Sequence, residues 1–128
     1  MNFLTRPHKE RGCKVSVETK LERGIVVIEL NGELDHHAVE QMRDRIEQQL
    51  AEHGYRGLVM SFRNIDFMDS SGLGLILGRY RSVTEHGGKM ALCEVNPTLR
   101  RLFEMSGLLK VIPVYDSEEA AVAAILGA

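Results

Sequence analysis

One stretch brings together side chains that could do chemistry: Asp66-Phe67-Met68-Asp69-Ser70-Ser71-Gly72-Leu73-Gly74-Leu75-Ile76-Leu77-Gly78-Arg79-Tyr80. Leu73, Ile76, Leu77 and Tyr80 recur at helical spacing, so a helix is expected to begin near Ser70. The apolar run before it, residues 57–60, reads as a buried strand. Asp69 or Ser70 is a natural N-cap, because a short oxygen-bearing side chain accepts from the free N–H groups of the first turn. A carboxylate and two hydroxyls thus stand at the positive end of a helix, in a turn that contains glycine. Such a place is suited to accepting or reading a phosphate.

Other chemistries fit these residues less well. A nucleophile elbow needs glycine two residues before its serine, and Met68 stands there. A base for Ser70 would have to come from His36, His37 or His86, and nothing in the spacing makes them converge. Gly72, Gly74 and Gly78 miss the dinucleotide-binding spacing by one residue, and no Gly-Lys-Ser/Thr follows, which excludes a P-loop. Glu33-Leu34-Asp35-His36-His37 contains good ligand types, but adjacent histidines on a helix point in different directions and no further ligand cluster accompanies them. No metal and no cofactor is expected. Phosphorylation asks for less: it adds a charge of about −1.5 to −2 and three acceptor oxygens. The helix dipole accommodates that charge, whereas a partner docked over the same spot meets it beside Asp69.

The elements that must position this turn follow from the rest of the chain. Its 128 residues suit one domain, and with no Trp and 5% aromatic residues the core must be aliphatic. A net charge of −2 gives no general attraction to nucleic acid. No apolar run reaches the roughly 20 residues of a membrane span, and residues 1–11 lack the apolar segment of a secretory signal. Two lone cysteines, Cys13 and Cys93, offer neither a zinc pair nor a disulfide framework, which fits a reduced cytoplasmic setting.

Residues 1–13 read as a polar tail and residues 14–128 as the folded domain. Residues 14–20 and 25–30 read as an antiparallel hairpin turning at Glu22-Arg23-Gly24. Asp35 can cap a helix with the apolar stripe Val39, Met42, Ile46 and Leu50, stopped by Gly54. Residues 57–60 and 89–93 read as further strands, and the helix from Ser70 closes at Gly87-Gly88. Asn96-Pro97 starts a short helix lined by Leu99, Leu102 and Phe103, with Gly107-Leu108 as its stop. Residues 111–114 read as an edge strand, before a last helix capped by Asp116 or Ser117. Strands alternating with helices argue an α/β domain with a partly parallel sheet. Right-handed crossovers put the helix starts near Asp35, Ser70 and Asn96 at one end of it.

Gly32-Glu33-Leu34-Asp35-His36-His37, then Phe67-Met68-Asp69-Ser70-Ser71-Gly72-Leu73-Gly74, then Leu77-Gly78-Arg79-Tyr80, resemble the bacterial anti-sigma factor antagonists. Asn96-Pro97 and Arg101-Leu102-Phe103-Glu104-Met105-Ser106-Gly107-Leu108 continue the likeness to the C-terminus, with antagonists of the anti-sigma F factor the nearest in these motifs. The resemblance implies the STAS fold (sulfate transporter and anti-sigma antagonist): a mixed sheet of four to five strands, about four helices and an opening hairpin. It implies a partner-switching protein rather than an enzyme. The unphosphorylated form binds an anti-sigma factor that is also a serine kinase and so frees an RNA polymerase sigma factor. The kinase, which holds the ATP or ADP, phosphorylates Ser70, and a serine phosphatase reverses this. Asp35, Asp69, Ser70, Ser71, Gly72 and Gly74 would form the partner-binding rim. The alternatives are a general-stress antagonist of the same family, a nucleotide-binding STAS module, and a small serine hydrolase. The tail before Lys14 is longer than the family usually carries.

Overall fold

The computed structural model describes residues 16–127; the expected tail, Cys13 and the strand start at Lys14 lie outside them. Strand β1 (Ser16–Glu22) pairs antiparallel with β2 (Ile25–Asn31). Between them Arg23 and Gly24 both adopt positive φ, +52° and +84°, the twist that a two-residue hairpin turn requires. Helix α1 (His36–Glu52) leads to β3 (Gly57–Asn64), α2 (Ser70–Glu85) to β4 (Lys89–Cys93), and α3 (Pro97–Ser106) through a 3-10 turn to β5 (Val114–Tyr115). Helix α4 (Glu118–Gly127) closes the described chain.

The sheet order is β1-β2-β3-β4-β5, with β2 to β5 parallel. Because the order never reverses, right-handed crossovers place α1, α2 and α3 on the same face. The two apolar clusters reflect this. Val26, Ile28 and Leu30 of β2 pack with Val39, Met42 and Ile46 of α1, Leu75 and Ile76 of α2, and Phe103 of α3. Ile25 and Val27 of the same strand pack on the opposite face with Val59, Ala91, Cys93 and Ala121, Val122 and Ile125 of α4. A strand buried on both faces loses the alternation of an exposed one, as residues 25–28 do. Phe62 and Phe103 meet edge to face with ring centroids 5.7 Å apart. Among the described residues no helix is long and apolar enough to cross a membrane.

Three expectations need correction. Strand β3 runs on to Asn64 rather than stopping at Met60. Ser61 is buried and Phe62 fills the core. Asn64 Nδ2 then donates to Asn31 Oδ1 (2.6 Å) and Glu29 Oε2 (3.1 Å), a polar continuation that an apolar run cannot reveal. The edge strand falls at Val114–Tyr115, not residues 111–114: a 3-10 turn, Leu108–Lys110, comes first and Ile112 is buried as a plug. Finally, α2 faces the core with Gly72, Leu75, Ile76 and Val83. Leu77, assigned by spacing to the apolar stripe, is 41% exposed. The helix is rotated so that its narrowest residue, Gly72, lies under Met68.

Candidate functional site

Two loops at the carboxyl ends of β2 and β3 build the rim. Each is anchored by buried apolar residues, Leu34 in one and Ile65 and Met68 in the other. Glu33, Asp35, Asp66 and Phe67 between them point outward. The loops are laced together like a last rung of sheet. Leu34 N donates to Phe67 O (3.1 Å) and Asp69 N donates to Leu34 O (3.2 Å), a parallel bridge between Leu34 and Met68. The starts of α1 and α2 are therefore held side by side by backbone hydrogen bonds.

Each start has its own cap. Asp35 Oδ1 accepts from Ala38 N (2.9 Å), a third-residue cap. Asp69, not Ser70, caps α2: its Oδ1 accepts from Ser71 N (2.8 Å) and from the Ser71 hydroxyl (2.7 Å). The Ser71 hydroxyl is the chief reason the Asp69 carboxyl lies below its ordinary range. Partial burial opposes the shift, and the backbone N–H groups of Ser71, His36 and Gly72 reinforce it. His36 is the first residue of α1, so the start of the neighbouring helix also favours the charged form of this carboxylate. Ser70, directly between Asp69 and Ser71, is exposed and takes no part in the network.

The glycines of α2 divide into two kinds. A Cβ on Gly72 would lie 2.9 Å from Met68 Sδ and 3.1 Å from Met68 Cβ, so the packing of the turn requires glycine there. Gly74 and Gly78 have nothing within 4 Å of an added Cβ. Glycine in a helix interior costs about 0.5–1 kcal/mol relative to alanine, a cost for which the contacts within the described fold give no return.

Ser70, Ser71, Asp69, Gly72 and Asp35 thus come together at one rim, with Gly74 a turn further along α2. The residue-by-residue reading missed Glu33, Asp66 and Phe67 as members. Their signal was the alternation of outward polar or exposed residues with buried Leu34 and Met68, which becomes legible only once the loops are known to be extended. Neither loop, residues 31–35 or 65–69, contains Lys or Arg, so the rim around Ser70 is acidic. A third helix start joins it: Asn96 Oδ1 accepts from Leu99 N (2.8 Å) while its Nδ2 donates to Ile65 O (3.1 Å).

Of the three candidate bases, His36 and His37 are exposed on the first turn of α1, and the third is remote from Ser70. His86 lies past the far end of α2, which at 1.5 Å per residue is roughly 24 Å from Ser70, and its Nδ1 bonds Ser82 O (2.8 Å). Among the described residues, no three His, Cys, Asp or Glu side chains are grouped to hold a metal. Cys93 is buried, and burial pushes its thiol up to about 12, so it is inert. Clefts of about 500 Å³, beside Glu47, Tyr55 and Arg79, and about 330 Å³, beside Tyr80 and Tyr115, both leave out the rim residues.

Residues 16–121 match the family model of the STAS domain. The chain belongs to the STAS family of anti-sigma factor antagonists. It is 44% identical over 104 residues to the anti-sigma F factor antagonist of Paenibacillus polymyxa, covering 81% of this chain and 89% of that one. Its fold superposes on the anti-sigma factor antagonist SpoIIAA in its unphosphorylated form with a TM-score of 0.74 at 38% identity, over 88% of this chain and 98% of that one. Against the Bacillus cell fate determinant SpoIIAA in the phosphorylated form the TM-score is 0.66, again at 38% identity, over 86% and 99%. Among the described residues, the five-stranded sheet and four helices are those expected of a STAS domain.

Proposed function

We propose that this STAS domain is a phosphorylation-controlled anti-anti-sigma factor of the cytoplasm. Unphosphorylated, it binds an anti-sigma factor with serine kinase activity and so releases a sigma factor. Phosphorylation of Ser70 by that kinase ends the binding, and a serine phosphatase restores it. The nucleotide belongs to the kinase, and this chain contributes no catalytic group. Sigma F is the favoured target, given the 44% identity to an anti-sigma F factor antagonist.

The observation that carries this reading is the exposed Ser70 on an acidic rim, beside an Asp69 carboxylate whose Oδ1 accepts twice from Ser71. Glu33, Asp35, Asp66 and Asp69 suit a basic partner surface, and such complementarity guides association as well as register. A phosphate on Ser70 adds about −1.5 to −2 charges at a helix start whose dipole tolerates them. The domain therefore keeps its fold, while the interface must accommodate a second charge next to Asp69. Like charges brought together at an interface cost several kcal/mol, and each ~1.4 kcal/mol is tenfold in affinity. The exposed side of α2, with Gly74 and Leu77 below Ser70, would extend the docking surface.

Calorimetry with the anti-sigma kinase tests the reading. Ser70→Ala should bind as the unmodified protein does and take up no phosphate. Ser70→Asp should bind roughly a hundredfold more weakly, the effect of about 3 kcal/mol. Equal affinities for the two variants would remove the basis for the switch.

A further inference from the structure

Two serines stand next to each other at the start of α2, and the structure treats them differently. Ser70 is exposed and its hydroxyl lies outside the hydrogen-bond network. Ser71 is half-buried, and its hydroxyl and its N–H both donate to Asp69 Oδ1, at 2.7 and 2.8 Å. We infer that Ser71 is a positioning residue that selects Ser70 as the phosphate acceptor, by holding the Asp69 carboxylate in place on the turn that starts α2. This role rests on the phospho-switch reading above and adds to it the reason one serine is used and its neighbour is not.

Three physical consequences follow from the geometry. The Ser71 hydroxyl already donates to a carboxylate, and a charge-assisted bond of this length is among the stronger ones, so Ser71 competes poorly as an acceptor. A carboxylate left to rotate would accept from the Ser70 hydroxyl instead and draw it inward. Two donors from Ser71 on one oxygen prevent that rotation. The Asp69 N–H in turn donates to Leu34 O (3.2 Å), so the locked turn is fixed relative to the Asp35 loop. In the transfer itself the Ser70 Oγ–phosphorus bond forms and the bond from the ATP γ-phosphorus to its bridging oxygen breaks. The hydroxyl proton passes to a base of the kinase. Ser70 must therefore project unencumbered, in one orientation, since misplacement of a reacting atom is expensive.

The test compares the wild-type chain, Ser71→Ala and Ser71→Thr, the last keeping the hydroxyl. Initial rates and phosphosite maps are measured with the cognate kinase and ATP. In parallel, the Asp69 side-chain resonance and the His36 and Ser71 amides are followed by NMR against pH, with Asp35 and Asp66 read from their own resonances. The expected result is phosphate on Ser70 alone in the wild type. Ser71→Ala should be about tenfold slower, the effect of losing one hydrogen bond to a charged group. Its Asp69 midpoint should move up toward the ordinary range, and Ser71→Thr should restore both rate and midpoint. Wild-type rate and midpoint in Ser71→Ala, or phosphate on Ser71 as well as on Ser70 in the wild type, overturns the positioning role while leaving the switch standing. A wild-type chain that takes no phosphate on Ser70 overturns the switch and this role together, even with the Asp69 midpoint as expected.

Discussion

Helices α2 and α3 leave parallel strands at the same end of the sheet, and each begins with a polar cap, yet the two caps find their second partner in different places. At α3, Asn96 uses both ends of its amide inward: the oxygen takes Leu99 N and the nitrogen reaches Ile65 O across the rim. Pro97 then fixes the first helical φ without needing a hydrogen-bond acceptor. At α2, Asp69 takes both of its donors from Ser71, and Ser70 is left outside. The first arrangement ties two loops together; the second holds a turn rigid around a hydroxyl that the fold does not use. Both caps satisfy the first turn, and it is the second partner of the cap that differs: a distant loop at α3, the next-but-one residue at α2.

This contrast can be broken most directly at Asn96. Replacing it with Ala removes a cap and leaves the Ile65 carbonyl without its side-chain partner. A loss of about 2 kcal/mol is expected in urea unfolding, with affinity for the anti-sigma factor unchanged after correction for the folded fraction. Should Asn96→Ala impair binding more than stability, α3 would have to be counted as part of the working surface.

The glycines sharpen the comparison along α2. Gly72→Ala should destabilise by about 1 kcal/mol or more, because the new methyl meets Met68 at 2.9–3.1 Å. Gly74→Ala, with open space around it, should instead stabilise by about 0.5–1 kcal/mol. Thermal melts distinguish the two. If Gly74→Ala melts higher and binds the anti-sigma factor less well, close approach of a partner explains the glycine; a destabilised Gly74→Ala would contradict the open surface described here.

The smallest effect concerns the charge on Asp69. Its folded carboxyl lies below the ordinary range, chiefly through the Ser71 hydroxyl. Its stabilising contribution is therefore complete above the unfolded carboxylate's titration range and is lost as pH falls through the lowered folded value. Asp69→Asn keeps a capping oxygen but removes the charge, so it should melt slightly below the wild type at neutral pH. The gap should close in acid; a gap independent of pH would mean that the charge contributes nothing.

Much of the rim was legible in the residues. Asp35, Asp69 and Asn96 announce helix starts because few side chains can satisfy a first-turn N–H, and Gly107 announces a stop because its φ of +84° suits glycine. Alternating strands and helices, with right-handed crossovers, were enough to bring those starts to one end. The end of β3 was not legible, since Asn64 joins the sheet through side-chain bonds to Asn31 and Glu29, partners 33 and 35 positions away. Nor was the true inner face of α2, because a helix with apolar residues at positions 73, 75, 76 and 77 can be rotated several ways, and the Gly72–Met68 contact selects one.

The chain by itself determined where helices begin, because capping is a matter of neighbours within three residues. It determined, too, which stretches are buried, because a β-branched run has few other uses. Only the tertiary structure decided that Leu34 and Met68 pair, that Asn96 reaches the Ile65 carbonyl, and that Ser71 rather than Ser70 is held. The first two depend on contacts between segments more than thirty residues apart; the third joins residues two apart, where the turn, and no local preference, selects which of two hydroxyls is nearer.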